Sequence, residues 1–241
     1  NLRYNCVSIH IIKYMKKLIF SIAFFLLFHI ESFSHVDHYK DYNNLEYELF
    51  RNNTSIGYHR YEFNKNGVNL SIKSEVSFKI TKLGIDLYKY FAKSEENYVK
   101  GVFKSYYSKT KQNKKDRYVN IEVDPSDENL IIDGSSYKGK ANNDFIVGTW
   151  WNHEIIKAKA QISGISGRII EQTVTFLGKE DVKIGDKTYK TLRFNFKSSD
   201  ETLSDSKKLN TDIWYEEDTY LWVKAAFEKT GYWEYRIKKF N

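Results

Sequence analysis

Between residues 68 and 80 apolar and polar side chains alternate with one exception, Ser74. Val68, Leu70, Ile72, Val76, Phe78 and Ile80 fall on one side with Ser74 among them, and Asn69, Ser71, Lys73, Glu75, Ser77 and Lys79 fall on the other. A period of two over this span predicts one long strand with a dry and a wet face. Strands of that length suit curved sheets and open barrels. The same alternation, in shorter form, sets Leu45, Tyr47 and Leu49 against Glu46 and Glu48. Asn52-Asn53 marks a turn, and a second strand follows over 56–63, where Gly57 allows a bulge or a close approach. Lys65-Asn66-Gly67 is a hairpin signal, because Asn-Gly accepts the positive φ angles of a tight turn. Further strands are predicted over 85–93, 94–99, 102–109, 117–123, 129–133, 173–182, 188–196, 212–215, 221–227 and 232–237. Helical spacing is visible only over 153–160. No β–α–β alternation occurs, which argues against a parallel sheet. The expected fold is mainly β: a single, strongly twisted antiparallel sheet, between an open half-barrel and a barrel, with at most one or two short helices.

One apolar run does not fit this pattern. Met15-Lys16-Lys17 precedes a mainly apolar stretch from Leu18 to Ile30, followed by Glu31-Ser32-Phe33-Ser34. A basic start, a short apolar centre and small residues before a cut after Ser34 are the three parts of a signal peptide. A membrane span needs about 20 apolar residues, and this run ends sooner. The expected organisation is upstream sequence at 1–14, a signal peptide at 15–34 and one antiparallel β domain at 35–241. That implies an exported protein with no integral span after cleavage. The only cysteine, Cys6, precedes the cut, so the exported part would have no disulfide and no lipoprotein anchor. It would carry 34 Lys and Arg against 30 Asp and Glu. A net charge of +4 speaks to solubility and gives no argument for nucleic acid. The densest basic run, Lys109 to Arg117, reads as a solvated loop, and the other lysines are dispersed.

Aromatic residues make up 17% of the chain, 19 of them tyrosines. Large side chains of this kind fill a β core that has no disulfides. No nucleophile elbow, zinc-binding His-Glu-x-x-His, Walker loop or dinucleotide fingerprint is present. The glycines of Ser163-Gly164-Ile165-Ser166-Gly167 lack a phosphate-binding lysine and read as a flexible connection. His35, at a new N-terminus, could chelate copper with Asp37, His38 and His59 or His153. A polar, frayed terminus accounts for the same residues, and no metal or other cofactor is expected. Trp150-Trp151 and Trp214-Tyr215 are more informative. Neighbours on a strand face opposite ways, so each pair can send one ring inward, into packed core or into a binding cleft. With the Tyr58-His59 pair they make the candidate ligand-binding set: Trp150, Trp151, Trp214, Tyr215, Tyr58 and His59.

Taken in order, Leu45-x-Tyr47, Ile56-Gly57-Tyr58-His59, Glu96-x-Tyr98, Thr149-Trp150-Trp151-Asn152, Ser166-Gly167, Asp212-Ile213-Trp214-Tyr215 and Gly231-x-x-Glu234-Tyr235 form a pattern. It resembles an uncharacterised family of exported Gram-negative bacterial proteins, a domain of unknown function. Where such proteins show Asp-Gly before the Ile-Gly pair, this chain has Asn53-Thr54-Ser55. The resemblance implies a periplasmic address and a curved antiparallel sheet similar in layout to periplasmic lipoprotein-carrier half-barrels. Three functions compete. The first is a non-enzymatic binder or carrier of an apolar or amphipathic, lipid-like ligand. The second is a cell-envelope hydrolase using His59 or His153 with Asp212 or Glu96. The third is an envelope-assembly module that lends a sheet edge to a protein partner.

Overall fold

The computed structural model describes residue 39 and residues 41–241. The expected signal peptide, the upstream residues 1–14, and His35, Asp37 and His38 lie outside the described residues. Fifteen strands form one sheet. They are β1 (Asn44–Arg51), β2 (Thr54–Asn66), β3 (Asn69–Lys82), β4 (Ile85–Val99), β5 (Val102–Gln112), β6 (Lys115–Val123), β7 (Leu130–Gly134) and β8 (Lys138–Ala141), then β9 (Ile146–Val147), β10 (Ala160–Ile162), β11 (Ile169–Ile184), β12 (Lys187–Ser198), β13 (Asn210–Glu216), β14 (Trp222–Glu228) and β15 (Tyr232–Phe240).

Two meanders make up the sheet. Each strand from β1 to β8 pairs with the next, as does each from β9 to β15, and β1 joins β15 to unite them. In that junction Leu45 stands opposite Phe240 and Arg51 opposite Trp233. Ladders are antiparallel except for the short β9–β10 pair, which is parallel. The sheet is open, with β8 and β9 as its edges although they are consecutive in the chain. Both edges supply one small core: Ile132 of β7 and Ala141 of β8 pack in the same cluster as Val147 of β9 and Ile162 of β10. The seam also carries a bond from the Ser136 amide to the Ser166 carbonyl, 2.8 Å.

The long period-two segment is β3, and the Asn66-Gly67 turn has Gly67 at φ 58° as the hairpin requires. Strand β4 runs unbroken through the expected boundary between residues 93 and 94. There Ser94 sits in register with Ser74 on one side and Ser108 on the other. The helical segment is shorter than its spacing suggests. Asn152 caps a single 3-10 turn, His153–Ile156, by accepting from the Glu154 amide, and Ala160 already belongs to β10.

The inward face is filled by the protein's own rings. Leu45, Tyr47 and Leu49 of β1, Tyr61 and Phe63 of β2, and Tyr215 and Trp222 from the other meander are buried in one cluster. Trp151 and Ile155 enter that cluster from the connection between β9 and β10. A non-repetitive segment over 148–158 therefore covers the concavity where a helix would in other folds. Gly57 permits the close approach of β2 to β3. A Cβ there would lie 2.0 Å from the Ser77 carbonyl oxygen and 2.6 Å from Phe78 Cα. Backbone must move to admit it, so Gly57→Ala should cost about 1–3 kcal/mol, read as a lower urea midpoint with an unchanged circular dichroism spectrum.

Candidate functional site

The site is built around the segment that plugs the sheet. Its irregular backbone presents carbonyls to an apolar interior, and each needs a donor. Tyrosines from both meanders supply them. Tyr61 OH donates to the Thr149 carbonyl at 2.6 Å, and Tyr215 OH donates to the Trp150 carbonyl at 2.9 Å. Trp150 has φ 58°, a left-handed conformation that a bulky residue adopts only when its surroundings enforce it. Trp150 and Trp151 are therefore not strand neighbours, and their rings diverge for a different reason. The Trp150 ring meets Trp222 and Tyr235 at 5.4 and 5.5 Å, whereas the Trp151 ring meets Tyr39, Phe63 and Tyr98 at 5.5, 5.6 and 5.8 Å.

Glu96 fixes the plug from below. It is 2% exposed and accepts from Trp151 Nε1 at 3.0 Å, from Thr149 Oγ1 at 3.4 Å and from Tyr98 OH. Glu96 and Tyr98 stand two apart on β4 and so share its inward face. Asn152 Nδ2 donates to Tyr98 OH at 3.5 Å. The Glu-x-Tyr and Thr-Trp-Trp-Asn motifs, far apart in the chain, thus form one network. Burial raises the Glu96 carboxyl to about 7, more than its donors lower it.

Beside the plug lies a cavity of about 210 Å³. One wall is His59, Ser74, Ser94 and Ser108, and the other is Trp150 with the 161–165 strand and turn. Val76, Ala92, Ile165 and Ile170 add apolar patches. His59 Nε2 shares a 2.8 Å hydrogen bond with Ser74 Oγ. His59 Nδ1 and Trp150 Nε1 are buried without hydrogen-bond partners. Burial pushes the His59 imidazole down to about 3, so it is neutral near pH 7. The turn at 163–167 is held rather than flexible, because the Gly164 carbonyl accepts from Ser108 Oγ at 2.6 Å and Tyr106 OH at 3.0 Å.

Of the candidate set, Trp150, Trp151, Tyr215 and His59 converge on this region. Trp214 and Tyr58 do not, because each adjoins an inward residue on a strand and faces the opposite way. Trp214 lies between Arg193 and Lys224, with ring centroid distances of 4.8 and 4.7 Å, and donates to Glu180. Tyr58 donates to Glu75 at 2.7 Å under the Arg60 guanidinium. The catalytic pairings with His153 and Asp212 are not formed either. Asp212 is held by Arg193 at 2.5 Å and Asn195 at 2.6 Å, and His153 stacks on Tyr220 at 4.6 Å. No group of three His, Cys, Asp or Glu able to hold a metal occurs among the described residues. Ser94, Ser108 and Gln161 were not singled out by sequence. Ser74 carried a signal, as the polar member of the dry face of β3.

Glu96 and His59 act oppositely on stability. A carboxyl raised to about 7 keeps its proton in the folded state, so its contribution falls as pH rises from about 4.5 to 7, by up to ~3 kcal/mol. An imidazole lowered to about 3 removes stability as pH falls from about 6.5. The two oppose each other between these limits, so a variant is needed to separate them. Urea midpoints at pH 5 and 7.5 should show Glu96→Gln gaining stability with pH relative to wild type. Parallel profiles would mean that Glu96 does not titrate in this window.

No curated protein matches the chain. Among solved structures it is similar to a β-barrel-like protein of domain of unknown function DUF1849 from Brucella abortus. The TM-score is 0.58 at 10% identity, over 83% of this chain and 97% of that one. A likeness at this identity concerns the fold alone. Among the described residues no helix is long and apolar enough to cross a membrane. The model of a family described as domain of unknown function DUF6134 matches residues 47–238, and the chain belongs to that family.

Proposed function

We propose that this is an exported, non-catalytic protein that binds a small amphipathic ligand between the inner face of β2–β5 and the Trp150 segment. The observation that carries the reading is the cavity itself. Its wall mixes Trp150, Val76 and Ile170 with serine hydroxyls, and two buried nitrogens, His59 Nδ1 and Trp150 Nε1, face no protein acceptor or donor. The hydroxyls of Ser74, Ser94 and Ser108 offer donors and acceptors to a ligand there. The volume of about 210 Å³ is below the ~300–1,000 Å³ of sites that take drug-sized ligands. A whole lipid is too large for it, whereas a short acyl or aromatic portion bearing a polar group fits. The signal-peptide pattern at 15–34 supports a periplasmic address, and the fold likeness is compatible with a carrier.

A hydrolase is the second reading, and the Ser74–His59 hydrogen bond favours it. Three features count against it. No carboxylate orients His59 Nδ1, burial weakens the imidazole as a base, and Glu96 is committed to the plug. Edge lending has less support, since the edge strands β8 and β9 are four and two residues long and β8 carries Lys138 and Lys140.

Native mass spectrometry of the protein released from its own cell envelope should show a bound small molecule. Trp150→Ala should lose that molecule at a modest stability cost. Trp151→Ala, which removes a core ring and a donor to Glu96, should cost about 3–5 kcal/mol. An empty wild-type protein, or full occupancy in Trp150→Ala, would refute the binder reading. Labelling of Ser74 by a fluorophosphonate, abolished in Ser74→Ala, would favour the hydrolase.

A further inference from the structure

The β3–β4 hairpin outreaches its neighbours. Strand β2 pairs with β3 only as far as Phe78, and β5 pairs with β4 only as far as Tyr90. Beyond these ladders residues 79–89 continue as a two-stranded ribbon, with Lys79 opposite Lys89, Ile80 opposite Tyr88 and Lys82 opposite Ile85. At about 3.3 Å per residue the free part projects ~17 Å. Its apex is apolar: Leu83 is 93% exposed, Ile85 66% and Leu87 55%. Leu83 also sits at φ 50° ahead of Gly84 at φ 76°, a turn position that favours Asn, Asp or Gly. Two local rules are broken at one residue, strained backbone and an exposed leucine. Residues that break such rules with no gain to the fold mark functional positions.

Charge concentrates behind the apex. The neighbouring β5–β6 turn is tied to the hairpin by the Asn113 amide donating to the Lys89 carbonyl at 2.8 Å. The Lys89 amide donates to Asn113 Oδ1 at 2.7 Å. Residues 79–89 and 109–117 together hold eight Lys and Arg against Asp86 and Asp116, and Asp86 is paired with Lys89 at 3.0 Å. Three dispersed lysines and the densest basic run of the chain therefore gather at one end of the sheet. Lys79, Lys89 and Lys111 also line an outer groove of about 510 Å³ that includes Phe91.

We propose that this hairpin is a membrane-docking tip, whose Leu83, Ile85 and Leu87 enter the headgroup–acyl boundary of a bilayer while the lysine collar engages anionic phospholipid. Three apolar side chains at an apex match the shallow burial, ~5–10 Å, of interfacial segments. Long lysine stems let the ammonium groups remain at headgroup level while their methylenes follow the apolar tip. The surface is separate from the cavity, so the proposal stands or falls independently of the binder reading.

Flotation with vesicles tests it, using residues 35–241, the part expected to remain after cleavage. Phosphatidylcholine vesicles containing phosphatidylglycerol should carry wild type upward, more weakly at high salt, and pure phosphatidylcholine vesicles should not. The L83S/I85S/L87S variant should bind at least ~10-fold more weakly. K79Q/K82Q/K89Q should lose about fivefold per lysine. Cys6 lies outside this part, so Leu83→Cys offers a single site for a polarity-sensitive dye, whose emission should shift to the blue on the anionic vesicles. Failure of wild type to float, binding by the leucine variant equal to wild type, or no dye shift would each overturn the proposal.

Discussion

A carboxylate buried beneath an irregular chain segment is the constraint on which this structure depends. A sheet this curved leaves one apolar face that must be covered. Here the cover is irregular backbone, whose carbonyls and amides must be paired one by one. Glu96 gathers the Trp151 indole, the Thr149 hydroxyl and the Tyr98 hydroxyl onto one anchor, and Tyr61 and Tyr215 pin the carbonyls above. The abundance of tyrosine then has a physical cause. A ring fills volume as phenylalanine would, and its hydroxyl donates to a backbone carbonyl, which phenylalanine cannot do. Desolvation of Glu96 outweighs the donors around it, so the clamp holds its proton more tightly than an exposed carboxyl would.

The strands were legible because a half-wet sheet writes its faces into a period of two. That was enough for β3, for the Asn66-Gly67 turn and for the close approach at Gly57. Pairing over long range was not legible. Nothing local tells Leu45 that it will meet Phe240, or that β8 and β9 will stand at opposite edges. The Trp150-Trp151 pair was placed on a strand by its residue types, whereas the left-handed backbone at Trp150 is imposed by hydroxyls from β2 and β13, distant in sequence. Trp214 and Tyr58 look like partners of the inward rings because they adjoin them, and alternation turns them away. Ser94 and Ser108 reach the cavity through the register of β4 with β3 and β5, which composition does not encode. Basic residues in two separate runs become one collar only when the hairpins that carry them lie side by side.

The order of the strands has a kinetic consequence. Within each meander every pairing joins sequence neighbours, so the entropy of closing each loop is small. The β1–β15 ladder alone spans nearly the whole described chain, and it must wait until both meanders exist. Folding should then be slow at one late step, the zipping of the two ends, as expected when a few contacts carry most of the sequence separation. The short link over 142–145 leaves the sheet at one edge and re-enters it at the other. A chain divided there would yield two complete meanders, each with one long strand waiting for its complement. The two halves would then have to meet as separate partners to complete the core they share.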